Sequence, residues 1–400
     1  MKQHLAADYG ARSEDVRVFY QAYGIGFGGG TSNAVLLLNA FARDNPEDQF
    51  HILCAEKSQF AGLSSYPNVT LTELPEGKGK EQRRLALNLY DVGRRARAWE
   101  ADLIWNHNLG PYRRTGVPQV LMCNNPHQVY PWSITRYHPD PRPQVAVLRW
   151  FFRRALRSAD GVMTQTHRMA DLLRAVPGCP KRVAVVPKAV ESSSDVELRE
   201  LPAELREALG VGLPDRPFTF LYVSTYTPHK NHVTAIRALD LLCAQGERVR
   251  LVVTISPEKA LQVGGEAAKR LMEKGALVPL AWVAKEHVRS LYDACDACVM
   301  PSVLEALSSA HLEAMGWDKA QISADLPYAR DLCGAASLYA QPEDPADWAV
   351  KMRELMKDQE LSARLVALGR QQMGIFPQTW SQAASLARAF FEEVRKAGGR

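Results

Sequence analysis

A chain of 400 residues is too long for one ordinary hydrophobic core and predicts two domains of comparable size. Its 46% hydrophobic and 23% charged residues make a globular composition, and no run of about 18 apolar residues suggests a conventional membrane span. The net charge of +5 conceals an asymmetry: residues 1–190 hold 25 Lys and Arg against 16 Asp and Glu, or +9, while the rest hold 24 against 28, or −4.

Residues 1–15 are polar and mixed in charge, without the apolar core of a signal peptide, so a cytoplasmic location is expected. Apolar runs at 16–22, 50–54, 103–105, 119–123, 161–164 and 183–186 read as strands. Helical spacing appears between them, at 32–42, 83–100 and 168–175. This alternation predicts a doubly wound parallel sheet.

After the first strand comes a glycine run, with Gly24, Gly26, Gly28, Gly29 and Gly30, leading into a helix. Glycines let backbone N–H groups approach a phosphate, and the helix start adds partial positive charge. Gly24, Gly26 and Gly29 also satisfy the dinucleotide fingerprint, with Glu56 as the acidic ribose ligand, so an NAD- or FAD-dependent oxidoreductase is an alternative. Glu56 falls 32 residues after Gly24, where the fingerprint expects roughly 20, and this weighs against it.

Arginines concentrate at 83–97 and 142–157. The second run carries Trp150, Phe151 and Phe152 and reads either as a helix lying on an anionic membrane surface or as one packed on a sheet with its arginines in water. Between the two runs, Asn124, Asn125 and His127 follow a strand, where hydrogen bonds to sugar hydroxyls are expected. The polar stretch 191–202 is the expected linker. The alternation then restarts, with strands at 218–224, 250–255, 277–279 and 297–300. Seven scattered cysteines, an odd number, read as reduced thiols; Cys295 and Cys298 form a Cys-x-x-Cys without a second pair to complete a metal site.

The second half carries the more specific signals. Ser224 and Thr225 end a strand, and Pro228, His229, Lys230 and Asn231 precede a helix, suiting Lys230 to a diphosphate. Farther on, Glu305 and Glu313 stand seven residues apart across a loop-to-helix transition, with Ala306, Leu307 and Ser308 between them. Carboxylates so placed can accept from the vicinal hydroxyls of ribose and hexose.

With these motifs the sequence resembles glycosyltransferase family 4. The resemblance rests on the Glu305/Glu313 pair within its Pro-Ser…Glu…Leu-Glu-Ala-Met frame, on residues 324–345, on 290–297, on 228–231 and on the closing helix with Trp380. It implies a GT-B fold, two Rossmann-like domains facing each other across a cleft: an acceptor domain at 1–190, a donor domain at 196–377, and a last helix from about 378 packing back on the first domain. It also implies a retaining transfer from a nucleoside-diphosphate sugar to a glycan or lipid-linked acceptor, in surface polysaccharide or glycolipid synthesis. Glu313 would bind the ribose and Glu305 would lie against the sugar. The amides of Ala306, Leu307 and Ser308, with Lys230 and the loop of Gly28, Gly29 and Gly30, would hold sugar and diphosphate. Main chain at Ala281 and Val283 would meet the base, and Ser224, Thr225, Asn124 and His127 would line the site.

Three departures stand out. Thr225 occupies the place of the family's usual arginine, Ala306, Leu307 and Ser308 replace the usual Gly-Phe-Gly, and Asn124 stands where a histidine is common. They keep open a catalytically weak nucleotide-sugar-binding protein and a GT-B epimerase. No Asp-x-Asp is present, so neither a metal nor a cofactor is expected beyond the donor. The arginine surplus favours an anionic membrane surface, at the inner face of the membrane; nucleic acid is not expected, since no recognition motif accompanies the arginines.

Overall fold

The computed structural model describes residues 15–25, 29–138, 140–190 and 198–398. Seven parallel strands form the first sheet: β1 (Arg17–Gln21), β2 (Gln49–Ala55), β3 (Val69–Leu74), β4 (Leu103–His107), β5 (Gln119–Met122), β6 (Gly161–Thr164) and β7 (Arg182–Val185), in the order β3-β2-β1-β4-β5-β6-β7. Six more form the second: β8 (Phe218–Tyr222), β9 (Val249–Val253), β10 (Leu277–Pro279), β11 (Ala297–Met300), β12 (Ala320–Ala324) and β13 (Leu338–Ala340), in the order β10-β9-β8-β11-β12-β13. Strands β3, β12 and β13 were not legible as apolar runs. β3 mixes Val69, Leu71 and Leu74 with Thr70, Thr72 and Glu73 at a sheet edge, while β12 is wholly buried but has Ile322 as its one large apolar residue, among Ala320, Gln321, Ser323 and Ala324.

Both sheets reverse strand order once, between β1 and β4 and between β8 and β11. Such a switch point opens a crevice beyond the strands' C-terminal ends, because the connecting helices leave it to opposite faces. The loops after these four strands carry most of the residues discussed below.

One face of the first sheet is covered by the helix Gly29–Asp44 and by the last helix, Trp380–Gly398. Phe391 stacks on Phe41 at 5.7 Å and meets Trp105 at 5.4 Å. Arg388 bonds the buried Asp48 carboxylate through two nitrogens at 2.8 and 3.0 Å. Gly161 allows this approach, since a Cβ there would lie 2.6 Å from Val394. Where the chain passes between domains, the Val190 amide donates to Pro377. Of the expected linker, residues 191–197 lie outside the described residues.

The opposite face is covered by the helical stretch Lys80–Ala86, Leu87–Asp91 (a π turn) and Val92–Ala98, and by the helix Arg142–Ser158. The latter turns Val145, Phe152, Ala155 and Leu156 to the sheet, so its three consecutive aromatics do not share one surface: Phe152 is buried, Phe151 half-buried and Trp150 exposed. Arg149 is also no surface arginine. It is buried, and its guanidinium donates to the carbonyls of His127 at 2.8 Å and Tyr130 at 2.6 Å. All seven cysteines are free, and burial pushes the Cys295 thiol up to about 12.

Candidate active site

The loop after β11 is held from several sides. Tyr222 shares a hydrogen bond with Ser302 and donates to the Lys230 carbonyl at 2.8 Å, and Tyr328 donates to the Ser302 carbonyl at 2.6 Å. Asn231, in the left-handed conformation that asparagine tolerates, donates to the carbonyls of Pro301 and Pro342. The Val303 amide donates to His229. These bonds fix Lys230 against Glu305, with Nζ 2.5 Å from Oε1 and both side chains largely buried. Burial alone would lower the Lys230 ammonium, but the Glu305 carboxylate outweighs it and holds the group above its ordinary value.

Next to this pair the chain runs through Ala306, Leu307 and Ser308 into the helix Ser309–Gly316. None of those three amides donates to an acceptor among the described residues. Ser308, at the helix start, makes no side-chain cap bond. Unspent N–H groups at a helix start beside an ammonium form an anion-binding arrangement. One turn on, Glu313 accepts from the Tyr292 hydroxyl at 3.1 Å.

The first domain reaches across to the same loop. Tyr130 donates to the Glu305 carbonyl at 3.3 Å and Thr166 to the Ala306 carbonyl at 3.0 Å. The His127 ring lies 5.4 Å from His229 and 4.3 Å from His138. Burial, reinforced by the neighbouring positive groups, lowers His127 to about 3 and His229 to about 4, so both imidazoles are neutral at ordinary pH. Both side-chain polar atoms of Asn124 are buried without a partner, as is Nδ1 of His127. His127 lines a cavity of 290 Å³ together with Gln21, Asn108, Asn125, Gln128 and Arg149 among others, at the β1/β4 switch point.

Other expected site residues are placed differently. Ser224 is engaged internally, its hydroxyl bonded to His232 and its amide to Thr254. Thr225 is exposed and supplies no charge where an arginine was expected. Ala281 has a left-handed backbone, its amide donating to Ile255, and beside it Trp282 is 81% exposed. Gly28 lies outside the described residues; Gly29 and Gly30 open the first helix, ahead of the helical spacing read from 32. Trp282, Tyr130, Thr166 and Asn108 were not singled out from sequence. An isolated Trp beside the expected base segment was the one available signal; the others depend on the approach of distant loops. Asn108 has φ +62°, accepts from the Asn124 amide and receives Gln128 on its carbonyl, setting both loops of the cavity.

Residues 207–372 match the family described as Glycosyl transferases group 1, and residues 27–194 match Glycosyltransferase Family 4. The chain is a glycosyltransferase of the family-4 type. Among its family relatives is the 2-deoxystreptamine glucosyltransferase of Streptomyces kanamyceticus, 28% identical over 338 residues, covering 79% of this chain and 84% of the relative. The O-antigen chain mannosyltransferase RfbU of Salmonella typhimurium is 21% identical over 235 residues, covering 58% and 60%. Two solved structures share the fold: HepE of Anabaena in complex with UDP and glucose (TM-score 0.66, 16% identity, 95% of this chain and 100% of that one) and a UDP-forming α,α-trehalose-phosphate synthase of Burkholderia vietnamiensis (TM-score 0.71, 13% identity, 96% and 100%). The two parallel-sheet domains are thus a GT-B pair, and this family-4-type chain is a glycosyltransferase that uses nucleotide sugars. That assignment replaces the oxidoreductase reading of the glycine run. Among the described residues, no helix is long and apolar enough to cross a membrane.

Proposed function

We propose that the enzyme moves a sugar, with retention of anomeric configuration and without a metal ion, from a nucleoside-diphosphate sugar to a glycan or lipid-linked acceptor. The observation that carries this reading is the set of unspent amides at Ala306, Leu307 and Ser308 beside the Lys230–Glu305 pair. Negative charge grows on the diphosphate as the anomeric carbon–oxygen bond breaks. Oriented N–H groups and one buried ammonium stabilise that charge with little reorganisation. The acceptor oxygen takes the vacated position on the same face, and its proton passes to the departing phosphate oxygen. Glu305, charge-paired and held from behind, positions the sugar and does not become bonded to it.

Glu313 takes the ribose hydroxyls, with Tyr292 orienting its carboxylate. Ala281 and Val283 meet the base, and exposed Trp282 is placed to stack on it. The acceptor enters the first-domain cavity, where His127, Asn108, Asn125 and Gln128 meet its hydroxyls, with the unspent polar atoms of Asn124 in the same loop. Two relatives named for 2-deoxystreptamine and O-antigen support a polyhydroxylated acceptor. A role in surface polysaccharide or glycolipid synthesis, peripheral to an anionic membrane, accords with the +9 charge of residues 1–190.

The test is a panel of nucleoside-diphosphate sugars, read by thermal shift and by nucleotide release, each with and without EDTA. One donor should stabilise the protein and turn over equally in both conditions. Stabilisation by none of them, or turnover abolished by EDTA, would refute the donor assignment or the metal-free chemistry respectively.

A further inference from the structure

On the helical face of the first domain lies a mainly apolar groove of 280 Å³ between the stretch Lys80–Ala86, which adds Glu81, Gln82 and Arg84 to its lining, and the helix Arg142–Ser158. Tyr112 and Phe151 meet in it, their rings 4.9 Å apart, and Leu85 and Val147 line it from the two helices. Leu85, Val147 and Leu148 are exposed, Val147 at 54%, with Trp150, also 54% exposed, beside Phe151. Apolar side chains grouped on one surface in this way are unusual unless something covers them.

The groove runs into the polar cavity of the β1/β4 switch point. Arg84, Leu109 and Leu148 line both spaces. Arg84 stands at the junction, its side chain crossing Gly24, where a Cβ would lie 2.8 Å from Cδ; the positive φ of Gly24 is a second reason for glycine there. Its carboxylate partner is the exposed Glu81, at 3.5 Å, an ion pair weak enough to be exchanged for a ligand anion. The cavity is thus lined by amides and imidazoles with Asp140 and Arg149, the junction by Arg84, and the groove mainly by aliphatic and aromatic carbon, with Glu81 and Gln82 beside it.

We propose that this groove is the tail subsite for an amphiphilic acceptor, with its saccharide in the cavity, an anionic linker such as phosphate at Arg84, and an aliphatic chain along Leu85, Val147 and Phe151. The assignment rests on the reading of the cavity as the acceptor site and narrows the acceptor to a class. A purely polar acceptor leaves the groove without use, and a purely apolar ligand leaves Arg84 and the cavity's polar atoms without partners. The continuity of groove and cavity, and the guanidinium where they meet, favour one molecule spanning both over a second protein seated on the face.

The probes are butyl, hexyl, octyl and decyl phosphate, below their micelle concentrations, with binding followed by calorimetry on the full chain. Affinity should rise about threefold per methylene, somewhat under the limit for complete burial, until the groove is filled. In the double variant Leu85→Gln/Val147→Gln, which alters exposed positions, the chain-length dependence should flatten while butyl phosphate binds as before. Arg84→Gln should weaken octyl phosphate about tenfold and leave octanol unaffected. Affinity independent of chain length, or a dependence unchanged in the double variant, overturns the proposal. So does concentration-dependent dimerisation of the wild type that the double variant abolishes, because the groove would then be an interface between copies. The melting transition of the first domain in each variant, followed by calorimetry, is the folding control. Loss of donor turnover in the wild type would sink the transferase reading and leave the alkyl-phosphate result standing.

Discussion

Replacing Lys230 by Met tests the site most directly, because chemistry and stability are predicted to move apart in a double variant. Lys230 Nζ lies 2.5 Å from Glu305 Oε1, with side-chain exposures of 20% and 10%. Removing the cation alone leaves a mostly buried carboxylate unpaired, at a cost of about 3 kcal/mol, the low end of the range for a broken buried pair because some solvent reaches it. For a domain of this size that corresponds to a melting temperature about 6–12 °C lower. Lys230→Met/Glu305→Gln removes both charges and should recover most of the loss, giving a large favourable coupling in the cycle. Activity should not follow. Without the ammonium, charge on the departing diphosphate loses one preorganised partner, about a hundred- to a thousandfold in kcat, and the second substitution restores none of it. Calorimetric melting and nucleotide-release kinetics on the four proteins read the two effects. A double variant no more stable than Lys230→Met, or a single variant within a few-fold of wild-type kcat, would refute the assignment of Lys230.

Three further outcomes are expected. Trp282→Ala, at an exposed position, should leave the melting temperature within about 1 °C and lower the affinity for the donor nucleotide about tenfold, measured by calorimetry; equal affinity removes Trp282 from the base site. His127, His229 and His232 are held neutral by burial, at about 3, 4 and 3, while their unfolded counterparts titrate near 6.5. The unfolded chain therefore binds more protons between those limits, and stability should be complete above about pH 6.5 and fall by up to about 1.4 kcal/mol per pH unit per histidine on the way to pH 4. Melting curves across that range check it, and His127→Gln should make the slope shallower. Phe391→Ala should destabilise the first domain by about 3–5 kcal/mol, since it empties a site between Phe41 and Trp105, seen as an earlier first transition on heating.

Legibility in the sequence followed the kind of force involved. Central strands such as β4, which opens on Leu103, Ile104 and Trp105, and β8, apolar but for Thr219, could be read directly, as could the alternation that makes each sheet parallel. β12 could not, because Ala320, Ser323 and Ala324 are buried for their small volume, which leaves Ile322 as the one strong hydrophobic signal. In the site, Glu305, Glu313 and Lys230 announced themselves by spacing within local motifs. Arg149 misled: its place in a basic run suggested a surface cation, whereas it braces the His127 loop through two backbone carbonyls. A charge count sees the guanidinium and not the carbonyls that receive it, since those come from a loop some twenty residues away in sequence.

That brace bears on how the two domains act together. Arg149 fixes the carbonyls of His127 and Tyr130, and the Tyr130 hydroxyl in turn donates to the Glu305 backbone carbonyl, so the His127 loop of the first domain and the Glu305 loop of the second are coupled through one buried guanidinium. Thr166 makes the parallel contact to Ala306 from the helix after β6. Both contacts take backbone carbonyls of the donor loop, leaving its amides pointing elsewhere and unspent. A carbonyl drawn toward the first domain orients the following peptide's N–H away from it, because the two lie on opposite sides of one planar unit. The first domain therefore bears directly on the proposed donor site. By taking the carbonyls of Glu305 and Ala306, it orients the amides of Ala306 and Leu307, so the proposed anion site is complete only where the two domains meet.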